Sequence, residues 1–193
     1  NPTELDCDQW AKAVKDAGMK GIVLTAKHHD GFCMWDTKCT DYNVMNTPYG
    51  KDTLKMLADA CKKHGMLLSL YYSNPDWNHP YGYNPNSSHQ WLAVDREHGD
   101  FEVYKQYIKD QITELLTNYG KIDILWFDFS YGELRGEAWK ATELVNMVRS
   151  LQPDVILDNR LEVSGEGFGS IATDNPTVYS GDYVSPEQII PPH

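Results

Sequence analysis

One unit recurs four times along the chain: an amphipathic helical stretch, a helix breaker, and within a few residues an apolar run of strand type. In the first, Trp10, Ala13, Val14 and Ala17 fall at i, i+3, i+4 and i+7, the pattern stops at Gly18, and Ile22-Val23-Leu24-Thr25 follows. The second carries Leu54, Leu57, Ala58 and Cys61, stops at Gly65 and yields to the run from Leu67 to Tyr72. Tyr104, Tyr107, Ile108, Ile112, Leu115, Leu116 and Tyr119 mark the third, which ends at Gly120 ahead of Ile124 to Phe127. In the fourth, Ala141, Leu144, Val145, Val148 and Leu151 form the stripe, Pro153 forbids its continuation, and Val155-Ile156-Leu157 resumes as strand. Glycine is the natural residue just past a helix, and Asp6 or Asp8 is available to cap the first one.

Strands that alternate with helices must run parallel, because a parallel pair is joined by a crossover and not by a hairpin. Consecutive apolar positions agree, since parallel strands are buried on both faces. The connections are asymmetric. Helix-to-strand links are short, whereas the strand-to-helix links 26–51 and 74–100 are long and rich in Asn, Pro, Gly, Tyr, His and Trp. Such loops are usually functional, and they leave the carboxyl ends of the strands, where both barrels and open sheets build their sites. Neither GxGxxG nor GxxxxGKS/T occurs, which disfavours a nucleotide-binding open sheet. The expected fold is therefore α/β, a partial (β/α)8-like (TIM) barrel with about half of its strands. Residues 1–193 form part of one catalytic barrel domain on this reading, with sequence missing at both ends, and homo-oligomerisation is one way to cover the open sheet edges.

Composition narrows the partners. With 28 acidic against 17 basic residues and a formal net charge of -11, the chain repels nucleic acid and anionic membranes, and a neutral or polar small substrate fits better. No apolar run reaches the roughly 18 residues of a membrane span, and "NPTELDCDQW" lacks the pattern of a signal peptide. Cys7, Cys33, Cys39 and Cys61 show no CxxC pair and read as structural thiols, with a Cys33–Cys39 bridge left open. Aromatics crowd into connecting stretches such as "NPDWNHPYGYNPNSSHQW", where sugar platforms and core filling are both available readings.

The residues just past the strands are Lys27-His28-His29-Asp30, then Tyr71-Tyr72-Ser73 with Asp76 and Trp77, then Asp128, then Asp158-Asn159-Arg160. Polar groups are thus expected to converge on one face. Adjacent histidines on an extended chain point to opposite sides and no third ligand has HExxH spacing, which argues against a metal. A core role is open to one of them, and hydrogen bonding to substrate hydroxyls is the better role, since neutral imidazole both donates and accepts. For Asp128, a helix cap or a partner for Arg135 competes with a catalytic role. Trp126 and Phe127 immediately upstream put its carboxylate at a buried strand end, as suits a glycosidase nucleophile that attacks carbon.

The stretches "LTAKHHDGFCMW", "KHGMLLSLYYSNPDWNHP", "LLTNYGKIDILWFD" and "GDYVSPEQ", in that order, resemble the α-L-fucosidases of glycoside hydrolase family 29, from about Pro2 to Pro191. The resemblance implies a retaining exo-glycosidase that hydrolyses terminal α-L-fucosyl linkages of oligosaccharides or glycoconjugates through a covalent fucosyl-enzyme, with no cofactor and no metal. It implies Asp128 as nucleophile, His28 and His29 as ligands of fucose hydroxyls, Tyr71 and Arg160 as pocket residues, and Trp35 as an aromatic wall. "GDYVSPEQ" selects Glu187 as acid/base over Glu162 and Glu166, which read as solvated loop charges. Opposed environments are then expected, with Asp128 held as an anion and Glu187 in less polar surroundings. Trp35, Phe127 or Phe129 would meet the sugar's 5-methyl group. Further family ligands, upstream and downstream, and a C-terminal β-sandwich domain lie outside these residues, so the alternative is a catalytically impaired fucose-binding protein or an inactive fragment. Family analogy implies an extracytoplasmic location, periplasmic or secreted.

Overall fold

In a computed structural model, which describes residues 2–82, 100–128, 134–162 and 173–187, the four units fold as helix–strand pairs. Helix α1 (Cys7–Asp16) leads to β1 (Gly21–Lys27), α2 (Thr53–His64) to β2 (Leu67–Ser73), α3 (Phe101–Asn118) to β3 (Ile124–Asp128), and α4 (Ala141–Leu151) to β4 (Ile156–Leu157). Aspartates start three of the helices. Asp6 accepts from the Gln9 N–H at 3.0 Å, Asp52 from Lys55 at 2.8 Å and Asp100 from Glu102 at 2.9 Å, each satisfying a donor that the helix cannot.

The sheet order is β1-β2-β3-β4 with every pairing parallel. Strands that follow one another in the chain are thus neighbours throughout, without the reversal of order that defines a doubly wound sheet, and the fold is part of a (β/α)8-like barrel. All four carboxyl ends lie along one rim.

The two faces of the sheet differ. On the helix side, Leu70, Tyr72, Leu125, Phe127 and Leu157 are buried in one core with Leu57, Ile112, Leu115 and Val148 from the helices. On the other side the register aligns Val23, Ser69, Ile124 and Ile156 in a row, and Val23 and Ile156 keep 51% and 44% of their surface exposed. This is the barrel's inner face, and its upper end carries the site.

Two local departures from the sequence reading have physical causes. Helix α1 buries Cys7 and Ala11 and leaves Trp10 at 46% exposure, a different stripe from the one its spacing predicts. An edge helix has neighbours on one flank only, so the small side chains pack toward α2 while Trp10 lies over a groove with Leu5, Leu24, Phe32 and Pro48. In β1, Thr25 pairs with Tyr71 but Lys27 pairs with Tyr72, so Ala26 is an extra residue and the strand bulges.

The bulge turns Lys27 away from the rim. Its ammonium is fully buried on the helix side, donating to the Tyr72 hydroxyl at 3.0 Å, 3.6 Å from Asp76 and 4.3 Å above the Tyr72 ring. Burial pulls the Lys27 pKa down, and the Asp76 charge opposes it. Lys27 and Asp76 therefore do not join the convergent polar face. They brace it from below.

Candidate active site

Alternation along β3 puts Trp126 and Asp128 on the inner face and sends Phe127 into the helix layer, edge-on to Tyr72 with centroids 6.4 Å apart. Asp128 ends the strand opposite Ser73, and both of its oxygens are engaged. The Tyr71 hydroxyl donates to Oδ2, and Arg160 Nη1 donates to Oδ1 at 2.9 Å. Burial first, then the Asp128 charge, push the Tyr71 phenol far above its ordinary range, so the hydroxyl stays a donor.

Rings continue the rim to either side. His28 stacks on Tyr71 at 5.5 Å and 9°, Tyr71 meets Trp126 edge-on at 6.1 Å, and the Arg160 guanidinium lies 5.8 Å from the Trp126 ring centre. His29 lies 4.3 Å from His28 and 5.5 Å from Trp77, centroid to centroid. Its Nδ1 is 2.5 Å from Ser73 Oγ, whose own proton goes to the Pro75 carbonyl at 2.7 Å. Nδ1 must then be the protonated nitrogen, and Nε2 carries the lone pair. Burial, reinforced by His28, brings the His29 pKa down to about 4, so its imidazole is neutral at neutral pH.

Glu187 reaches the group from the segment after β4. The nitrogen of Arg160 that bonds Asp128 also donates to Glu187 Oε2 at 3.0 Å. The Asp128 side chain is 15% exposed and that of Glu187 is 45% exposed. Less polar surroundings were expected for Glu187; it lies instead half in solvent against a guanidinium.

Asp128, Glu187, His28, His29, Tyr71 and Arg160 are thus brought to one rim. Trp35 is not among them. It is fully buried, and its indole N–H donates to Glu114 of α3 at 2.9 Å, which ties the loop after β1 onto that helix. Phe127 is a core residue and Phe129 lies outside the described residues. Trp126 lies with Tyr71 beside Asp128 on the inner face, and the two-residue period of the strand was the signal for it. Glu162 is buried and not a solvated charge, whereas Glu166 lies outside the described residues. Cys33 and Cys39 are free thiols. Among the described residues no group of three His, Cys, Asp or Glu side chains could hold a metal ion.

The family model for alpha-L-fucosidase matches residues 1–192. Alpha-L-fucosidase 1 of Arabidopsis thaliana is 33% identical over 165 residues, 81% of this chain and 29% of its own length. Alpha-L-fucosidase isoenzyme 1 from Paenibacillus thiaminolyticus superposes with a TM-score of 0.88 at 47% identity, over 100% of this chain and 45% of that one. The alpha-L-fucosidase AlfC from Lactobacillus casei, in complex with alpha-L-fucose product, gives a TM-score of 0.73 at 34% identity over 83% of this chain and 53% of its own. The chain spans about a third of the length of the curated relatives it matches. A match along nearly every residue, to proteins whose fold superposes on this sheet and its helices, means that the chain belongs to the α-L-fucosidase family.

Proposed function

We propose that this chain carries the catalytic centre of a retaining α-L-fucosidase, with Asp128 as nucleophile and Glu187 as acid/base, acting on terminal α-L-fucosyl groups of oligosaccharides or glycoconjugates. One observation carries the reading. A single nitrogen of Arg160 bonds both carboxylates, so the two bonded oxygens are at most about 6 Å apart, compatible with the roughly 5–5.5 Å of retaining enzymes and short of the 6.5–9.5 Å of inverting ones. The α-L-fucose held by AlfC supports the sugar assignment.

In the first step a carboxylate oxygen of Asp128 bonds to C1 while the C1–O bond to the leaving group breaks and Glu187 delivers its proton to that oxygen. Tyr71 and Arg160 each donate to one oxygen of Asp128 and so aim it. Glu187 exchanges its resting contact with Arg160 for the glycosidic oxygen. In the second step Glu187 takes a proton from water, the water oxygen bonds to C1, and Asp128 leaves with its electron pair. His28 and His29 serve the ring hydroxyls, with the lone pair on His29 Nε2 as acceptor. Trp126 offers the apolar contact for the 5-methyl edge.

The test follows 4-nitrophenyl α-L-fucoside by nitrophenol release and by proton NMR of the first sugar formed. Retention requires α-L-fucose to appear before its β anomer. First appearance of the β anomer would overturn the mechanism, and saturable fucose binding without hydrolysis would leave the binding-protein alternative standing.

A further inference from the structure

Ser185 is gripped by three consecutive residues. Its hydroxyl donates to Asp158 Oδ2 at 3.2 Å, its N–H donates to Asn159 Oδ1 at 3.0 Å, and its carbonyl accepts from Arg160 Nε at 2.8 Å. Arg160 Nε also lies 3.2 Å from the Ser185 hydroxyl oxygen. Ser185, Asp158, Asn159 and Arg160 are all buried.

The approach to Ser185 is equally constrained. Asp182 donates its N–H to the Leu157 carbonyl at 2.7 Å, and its carboxylate accepts the Leu157 N–H at 2.7 Å. Tyr183 forms a parallel bridge with Asp158, so this segment runs beside β4. At Gly181, with φ of +73°, a Cβ would lie 2.2 Å from the Asp158 carbonyl oxygen, so no side chain fits where the two backbones meet.

Ser185 is followed by Pro186 and then Glu187. Proline fixes its own φ and restricts the residue before it to extended conformations, so the link from Ser185 to Glu187 is stiff. A buried anchor joined by a stiff link to a half-exposed carboxylate is a lever whose pivot is the serine.

We propose that Ser185, held by Asp158, Asn159 and Arg160, is the positioning residue that sets the reach of Glu187 to the glycosidic oxygen. The proposal rests on Glu187 being the acid/base. Ser185 itself touches neither sugar nor reacting atoms. Loosening it should impair proton delivery more than attack by Asp128, because Asp128 shares Arg160 with this segment but also ends β3 and accepts from Tyr71 of β2.

The discriminating readout is dependence on the leaving group. Nitrophenolate departs without a proton, whereas benzyl alcohol must receive one, and kcat/KM reports the step that forms the fucosyl-enzyme. Ser185→Ala in the full chain should lower kcat/KM on the order of 10- to 100-fold for benzyl α-L-fucoside and less than about threefold for the 4-nitrophenyl substrate. Ser185→Thr, which keeps the hydroxyl and the backbone contacts, should restore most of the loss. Equal losses on both substrates, or no loss on either, overturn the proposal. Should Ser185→Ala fail to fold, Asn159→Ala removes the acceptor for the Ser185 N–H and carries the same expectation.

Glu187→Ala separates the two levels. If it loses benzyl fucoside hydrolysis, and azide restores turnover of the nitrophenyl substrate as α-fucosyl azide, the acid/base reading holds independently of Ser185. Unchanged hydrolysis of benzyl fucoside by Glu187→Ala sinks that reading and the positioning role with it.

Discussion

The two carboxylates that share Arg160 are held in opposite ways. Asp128 ends a strand with neighbours on both sides, is mostly covered, and accepts one bond from β2 and one from the segment after β4. Glu187 stands half exposed on irregular chain whose anchoring comes from backbone latches to Leu157 and Asn159 and from Arg160. The difference matches the demands of the role proposed for each group. A nucleophile must be aimed at one atom and kept charged. An acid/base must release a proton, retrieve another from water and accommodate leaving groups of different shape, which favours exposure and some freedom of the side chain.

The comparison can be broken most decisively at its rigid side. Asp128→Gly should lower fucoside hydrolysis by about a thousandfold or more, and azide entering in place of the missing carboxylate should yield β-fucosyl azide. Glu187→Ala should yield the α anomer, because there azide intercepts the covalent intermediate and configuration inverts twice. The same azide anomer from both variants would mean that the two carboxylates do not divide the chemistry as assigned.

A smaller effect is expected from Tyr71→Phe. Hydrogen bonds to charged groups contribute about 1.5–3 kcal/mol, so kcat/KM should fall roughly 10- to 100-fold. The loss should be similar for good and poor leaving groups, in contrast to Ser185→Ala. A leaving-group dependence in the Tyr71 variant would erase the distinction between the two sides.

The last effect concerns pH and stability, not rate. The folded-state pKa of His29, about 4, lies below its ordinary 6.5, so the unfolded chain takes up the proton first. Between those values the unfolded state binds more protons, and stability must fall as pH drops from about 6.5 toward 4. Above that window the contribution is complete. Denaturation midpoints measured across it should show a shallower slope in His29→Asn, and an unchanged slope would remove His29 as the cause.

What the sequence disclosed follows the same division. Helices α2, α3 and α4 bury the apolar positions that their spacing predicts, apart from the terminal Tyr119 and Leu151, which are partly buried, because each has a sheet on one side and solvent on the other. The place of Asp128 at the carboxyl end of β3 was legible for a related reason, since it directly follows an apolar run of strand type. The stripe of α1 was not legible, because its roll depends on which flank has a neighbour. Trp35 departed from its expected place: a tryptophan in a loop looks available to a ligand, yet Glu114, distant in the chain, draws the indole of Trp35 inward. Glu162 misled in the same way, since its Gly-rich surroundings suggested solvent.

The extra residue at Ala26 has a consequence for how this site can vary. Every residue beyond it has its facing set by counting from the strand, so the placing of His28 and His29 depends on the number of residues before them as well as on their identity. Inserting one residue after Ala26 would exchange inside for outside, delivering the Lys27 ammonium to the sugar side and turning His28 toward the helix layer. Exchanging Ala26 for glycine preserves that numerical parity. Fucoside hydrolysis should therefore survive the substitution and not the insertion, which makes length the stricter constraint at this point of the chain.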